Sequence, residues 1–120
     1  MSKPRQFVGT WEVVELSDIS EKRLRETHRP HLTIRPPESG AAVGEYAFGR
    51  RSGTVSGRFE RVSENRHVFI FSFEGLGDGD EEHGAGVAWL EDEHRMVGRL
   101  IYHLGRIAQF VCRRTPEAAE

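Results

Sequence analysis

Apolar and polar residues alternate along most of this chain with a period of two, the pattern of strands that bury one face. The strongest instance is Val68-Phe69-Ile70-Phe71-Ser72-Phe73-Glu74, where Phe69, Phe71 and Phe73 share one face and Val68 and Ile70 lie on the other. Just before it, Val55, Gly57 and Phe59 alternate with Thr54, Ser56, Arg58 and Glu60. The same pattern predicts eight strands, at Phe7–Leu16, His31–Arg35, Ala42–Gly49, Thr54–Val62, Arg66–Glu74, Ala85–Leu90, Arg95–Leu104 and Ile107–Arg113. Alternation is imperfect in the first, where Trp11 and Val13 oppose Glu12 and Val14. Pro36-Pro37 ends the second by removing two backbone donors.

Between strands one and two, Glu21-Lys22-Arg23-Leu24-Arg25-Glu26 predicts a short helix of two turns. Asp18 as its cap, with Glu21 three residues later, resembles a capping box. A solvated charged loop fits the same residues, because only Ile19 and Leu24 offer apolar anchors. Residues 75–84 read as the longest irregular connection, since glycines and like charges this dense do not build an element interior. The tail, 115–120, is expected to fray, leaving 6–114 as the core of a single barrel domain spanning 1–120.

Eight short strands joined by short turns describe an antiparallel meander, and nothing supplies the strand–helix alternation of a parallel sheet. An open meander would leave two exposed edges, while closure removes both. The expected fold is all-β: an eight-stranded antiparallel up-and-down barrel, with a two-sheet sandwich as the alternative.

Composition narrows the class without naming it. At 120 residues the chain is one domain, long enough to build a hydrophobic core. Seventeen basic and nineteen acidic side chains give a formal net charge of -2, which argues against a general nucleic-acid or membrane-surface binder. The single Cys112 forms no intrachain disulfide and fits a reducing compartment. No apolar run approaches a spanning helix and no secretory h-region precedes the first strand, so a cytoplasmic location is expected.

Candidate chemistry is sparse. Asp78, Asp80 and Glu82 have an alternating carboxylate spacing, but the EF-hand pattern fails and a solvated acidic loop is the simpler reading. His83, His94 and His103 show neither H-x-H nor H-E-x-x-H spacing. Cys112 lies among strand formers, the setting of an inert buried thiol. With no nucleophile elbow and no phosphate loop, the chain is expected to be no enzyme and to hold no metal or cofactor.

Gly9-Thr10-Trp11, placed in the first of eight strands, resembles the G-x-W signature of the calycin superfamily, which includes lipocalins and fatty-acid-binding proteins. The later part of the chain resembles compact bacterial lipocalin-like proteins of unknown function, through Gly84-Ala85-Gly86-Val87-Ala88-Trp89-Leu90 and Gly98-Arg99-Leu100-Ile101-Tyr102-His103. The resemblance implies that Trp11 plugs the closed end of a barrel against a basic side chain near the last strand, Arg113 or Arg114, with Arg113 preferred. The chain is shorter than typical lipocalins and carries no second or third lipocalin motif.

If strand one runs toward the open end, the 17–30 segment, Arg50-Arg51-Ser52, the 75–84 stretch and Gly105-Arg106 all gather at one rim. The first functional expectation is a lipocalin-like binding protein for an apolar or amphipathic small molecule. Tyr46, Phe71, Trp89 and Tyr102 would line its site, with Arg99 or a rim arginine orienting a polar head. The alternative is a non-catalytic interaction module, a filled barrel that forms a homodimer through Val68, Ile70, Val97 and Ile101. Neither expectation includes a nucleic-acid or membrane partner.

Overall fold

The period-two segments form eight antiparallel strands, and the last pairs with the first, so the sheet has no free edge. The structure, a computed structural model, describes residues 3–26, 29–103 and 105–115. The strands are β1 (Gly9–Leu16), β2 (His31–Ile34), β3 (Ala42–Phe48), β4 (Arg51–Ser63), β5 (Arg66–Gly77), β6 (Asp80–Asp92), β7 (Arg95–Tyr102) and β8 (Ile107–Arg114). Each pairs with its neighbours in sequence, and β1 closes on β8 with Trp11 opposite Arg114. The expected up-and-down barrel is the observed fold.

The ends of the strands depart from expectation in instructive ways. Phe7 does not begin β1. Pro4–Phe7 forms a 3-10 turn, with proline at its start fixing φ, and the turn carries Phe7 beneath the barrel. The ring of Phe7 lies 5.3 Å from that of Phe59, which lies 5.1 Å from Phe69. The imperfect alternation of β1 is a bulge: Val13 pairs with Cys112 and Glu15 with Val111, leaving Val14 without an opposite residue. The extra residue turns Leu16 back into the core.

The 75–84 stretch is not irregular. β5 and β6 continue through it and meet at Asp78-Gly79, whose φ angles of 53° and 87° make the left-handed two-residue turn that suits a twisted hairpin. The helix between β1 and β2 is α1 (Glu21–Leu24), one turn rather than two. Its cap is Ser20, whose Oγ accepts a hydrogen bond from the Arg23 amide at 3.1 Å, and not Asp18. Thr115 extends the ladder one residue beyond β8 by donating its amide to Thr10 O at 3.1 Å. The rest of the tail expected to fray lies outside the described residues.

Inside, Phe69, Phe71 and Phe73 are buried as the alternation requires. Gly86 and Gly98 face the same interior, opposite Phe71 and Phe110. A methyl group at either glycine would overlap the facing aromatic ring, so the missing side chains are the space the phenyl groups fill. No helix among the described residues is long and apolar enough to cross a membrane.

Candidate functional site

The two ends of the barrel are closed by opposite chemistry. At one end Trp11 is fully buried, and its Nε1 donates to Phe7 O at 2.9 Å. The Arg114 guanidinium lies over the indole, 4.2 Å from the ring centre. Arg114 also donates to the carbonyls of Val8 at 3.0 Å, Glu93 at 3.2 Å, and Gln6. The basic partner is therefore Arg114, not Arg113. Register decides it: Trp11 and Arg114 are opposite one another on the inward face, so the residue before Arg114 points outward. There Arg113 meets Glu12 Oε1 at 3.2 Å. Gly9, with φ of 130°, lets Arg114 approach, because a Cβ there would lie 3.0 Å from Arg114 Nη1.

At the other end the four expected connections converge. Arg23 pairs with Asp78 at 2.8 Å and Arg50 with Glu26 at 3.1 Å, tying the segment after β1 to the β5–β6 and β3–β4 turns. Both pairs are exposed, and such ties contribute at most about 1 kcal/mol each. Beneath them lies a buried polar cluster. Arg51, the first residue of β4, points inward; its Nη2 lies 3.1 Å from Asp18 Oδ2, its Nη1 donates to Tyr102 Oη, and its Nε lies 3.9 Å from Glu82 Oε1. The side chains of Arg51, Asp18 and Glu82 are only 12%, 16% and 15% exposed. Tyr46 donates to Glu82 Oε2 over a long 3.4 Å. Arg106 reaches Asp18 Oδ2 at 3.8 Å and lies over the Tyr102 ring, 4.3 Å from its centre. Asp18 Oδ1 is buried, and among the described residues nothing hydrogen-bonds to it.

Burial dominates the titration of this cluster. It pushes the Tyr102 phenol up to about 12, although the Arg51 guanidinium pulls the other way. Burial, followed by the Glu82 charge, drives Tyr46 still further above the ordinary phenol value. For Arg51 burial disfavours the charge, but Tyr102 and Asp18 more than offset it and hold the guanidinium cationic. These are the only two tyrosines in the chain. Absorbance near 295 nm should therefore show no phenolate step around pH 10 while the protein is folded (ordinary tyrosine range, ~10). Because the folded phenol keeps its proton where the unfolded one has lost it, stability is full below pH 10.0 and falls as pH rises toward about 12. A phenolate step near pH 10 without loss of far-ultraviolet dichroism would contradict the burial of both rings.

Under the cluster is a cavity lined by Val13, Leu32, Tyr46, Phe48, Val55, Phe71, Phe73, Glu82, Leu100, Tyr102 and Phe110. Its free volume is about 20 Å³, room for a single water. Of the expected site residues, Tyr46, Phe71 and Tyr102 meet here. Trp89 and Arg99 do not. They occupy outward positions, Trp89 opposite Val97 and Arg99 opposite Gln109. The stretch from Gly84 to Leu90 is apolar or small on both faces, so its phase is set by the partner strand: Phe69 and Phe71 face Ala88 and Gly86, which turns Trp89 out.

Arg51 and Glu82 belong to connections expected at this rim, where a rim arginine is one candidate for holding a polar head, whereas Asp18 reads from sequence only as a helix cap. The first two were legible by phase, since Arg51 continues the inward series of Gly53 and Val55, and Glu82 that of Gly84 and Gly86. Cys112 is fully buried, and desolvation pushes its thiol up and out of reactive range. His83 and His103 stack on the outer wall, ring centres 4.8 Å apart, and no cluster of three or more metal-binding side chains occurs among the described residues. The closed eight-stranded antiparallel barrel with Trp11 plugging one end is consistent with a calycin-like fold. Comparison with protein-family models, with curated proteins and with solved structures gives no significant match.

Proposed function

We propose that this barrel is a non-catalytic, calycin-type binding protein that takes a small amphipathic molecule at its open end. The observation that carries the reading is the contrast between the ends. The closed end is sealed by Trp11 and Phe7, with Arg114 donating into three carbonyls. The open end is sealed by charges, one carboxylate oxygen of which has no partner among the described residues. A buried ionic cluster is commonly no more stabilising than apolar packing of the same volume, so stability alone gives no reason for a polar plug over an aromatic cup. A ligand gives one: the apolar body would pack against Tyr46, Phe71, Phe73 and Leu100 while its head enters the cluster.

The free space of about 20 Å³ is the filled interior expected of the interaction module and far below the roughly 300 Å³ of ordinary ligand pockets, so the binding reading requires the segment after β1 to move aside for a small molecule. The weak exposed pairs of Arg23 and Arg50 allow that. An aromatic-resonance NMR titration with butanol, butanoate and butylammonium tests the reading. At least one probe should shift signals of Tyr46, Phe71 or Tyr102. Shifts confined to outer-wall residues, or no shift with any probe, would overturn it.

A specific feature also favours a second, compatible reading, a homodimer through the wall of β5–β8. Ile70, Ile101 and Ile107 are exposed there, with Ile101 opposite Ile107 and Ile70 opposite the half-buried Val87. Val97 continues the same outer face, while Arg99 is the charge within it. An apolar face of this kind can pair with its own copy, and it leaves the rim clear. Sedimentation at micromolar concentration should find a species of twice 13.6 kDa, which Ile101→Glu converts to monomer. A 13.6 kDa species throughout rejects the dimer.

A further inference from the structure

We infer that the molecule taken at the open end is a cation, an organic amine whose ammonium group is held by Glu82 against the aromatic wall; this rests on the reading of that end as a ligand site. Glu82 is the only charged residue among those lining the cavity. It is also poorly satisfied. Among the described residues, its side chain has one long hydrogen bond, from Tyr46 at 3.4 Å, and a loose approach by Arg51 Nε at 3.9 Å. An ionised carboxylate offers about four acceptor sites, so protein groups occupy few of them, and the side chain, 15% exposed, is reachable by an outside donor. Arg51 is committed elsewhere, to Asp18 at 3.1 Å and to Tyr102 Oη.

The walls favour the same sign. Tyr46, Phe48, Phe71, Phe73 and Tyr102 surround the space, and the faces of aromatic rings attract cations and repel anions. Tyr102 already accepts two guanidinium groups, Arg106 at 4.3 Å and Arg51 at 5.2 Å from its centre. The charge balance of the cluster survives the exchange. Asp18 and Glu82 are matched by Arg51 and Arg106, and the Arg106 side chain, 59% exposed, can turn into water as an ammonium arrives. An incoming carboxylate has no such route, because it would meet Glu82 and the ring faces.

The three butyl probes separate this inference from the reading beneath it. Butylammonium should bind about tenfold more tightly than butanoate, and Glu82→Gln should weaken butylammonium about tenfold while leaving butanol unchanged. Glutamine keeps the size of the side chain and the acceptor for Tyr46, so the fold should persist, as far-ultraviolet dichroism would verify. If Glu82→Gln does not fold, the comparison of butylammonium with butanoate on the unaltered chain decides alone. Butanoate binding as well as butylammonium, or an amine affinity indifferent to Glu82→Gln, overturns the inference and leaves the binding site standing. Failure of all three probes overturns both.

Discussion

Trp11→Ala should lower the free energy of unfolding by about 3–5 kcal/mol, enough to threaten a domain of ordinary stability. The indole is fully buried and cannot be replaced by water. Its loss opens a cavity and deprives Phe7 O of its donor. It also removes the ring beneath Arg114, a cation–π contact of about 0.5–2 kcal/mol. The effect should spread through Arg114, because that side chain joins the 3-10 turn to the β6–β7 turn through Gln6, Val8 and Glu93. Arg113→Ala is the contrast. Its guanidinium is exposed and, among the described residues, pairs with Glu12, so the change should stay within about 0.5 kcal/mol. Urea unfolding followed by dichroism measures both. A Trp11→Ala loss below about 1 kcal/mol, or an equal loss in Arg113→Ala, would mean that Trp11 and Arg114 do not form the seal.

The fold was legible because a closed meander repeats one simple rule. Period-two alternation located all eight strands, and the phenylalanine strand carried its phase without ambiguity because Ser72 and Glu74 marked its other face. Phase failed where both faces were apolar or small, as around Trp89, and only pairing to β5 could set it. Element ends failed for a different reason. Phe7 reads as part of β1 because apolar residues run on through Val8, while the proline three residues earlier holds the signal for a turn. The acidic, glycine-rich stretch reads as irregular by composition, which masks the Asp78-Gly79 pair, a strong local hairpin signal. That reading hides part of the site as well. Once β6 is shortened, Glu82 becomes a loop residue with no face, and its approach to Tyr46 on β3 cannot be foreseen. Asp18 was the hardest. Its spacing to Glu21 satisfied a capping rule, and only the fold brings Arg51, 33 residues away, within reach of its carboxylate.

Arg51→Met should cost about 3–5 kcal/mol, the usual penalty for removing one partner from a buried ionic group. Methionine matches much of the aliphatic volume but leaves Asp18 and Glu82 largely shielded from water, with Arg106 at 3.8 Å the one remaining cation near Asp18 among the described residues. Neutralising the stranded acids reverses the logic. The triple variant Arg51→Met, Asp18→Asn, Glu82→Gln should recover most of the loss and equal or exceed the unaltered chain, since uncharged packing of similar volume is often neutral or stabilising by about 1–4 kcal/mol. The three residues touch one another, so their effects must not add, and the coupling is the quantity of interest. Urea midpoints of the single and triple variants supply it. A single variant within about 1 kcal/mol of the parent would show that water reaches the cluster freely. A triple variant no better than the single would make the guanidinium a structural necessity, and the polar seal would then need no ligand to explain it. Recovery in the triple variant would leave a fold that stands as well without these charges as with them, which is the outcome the proposed binding role requires.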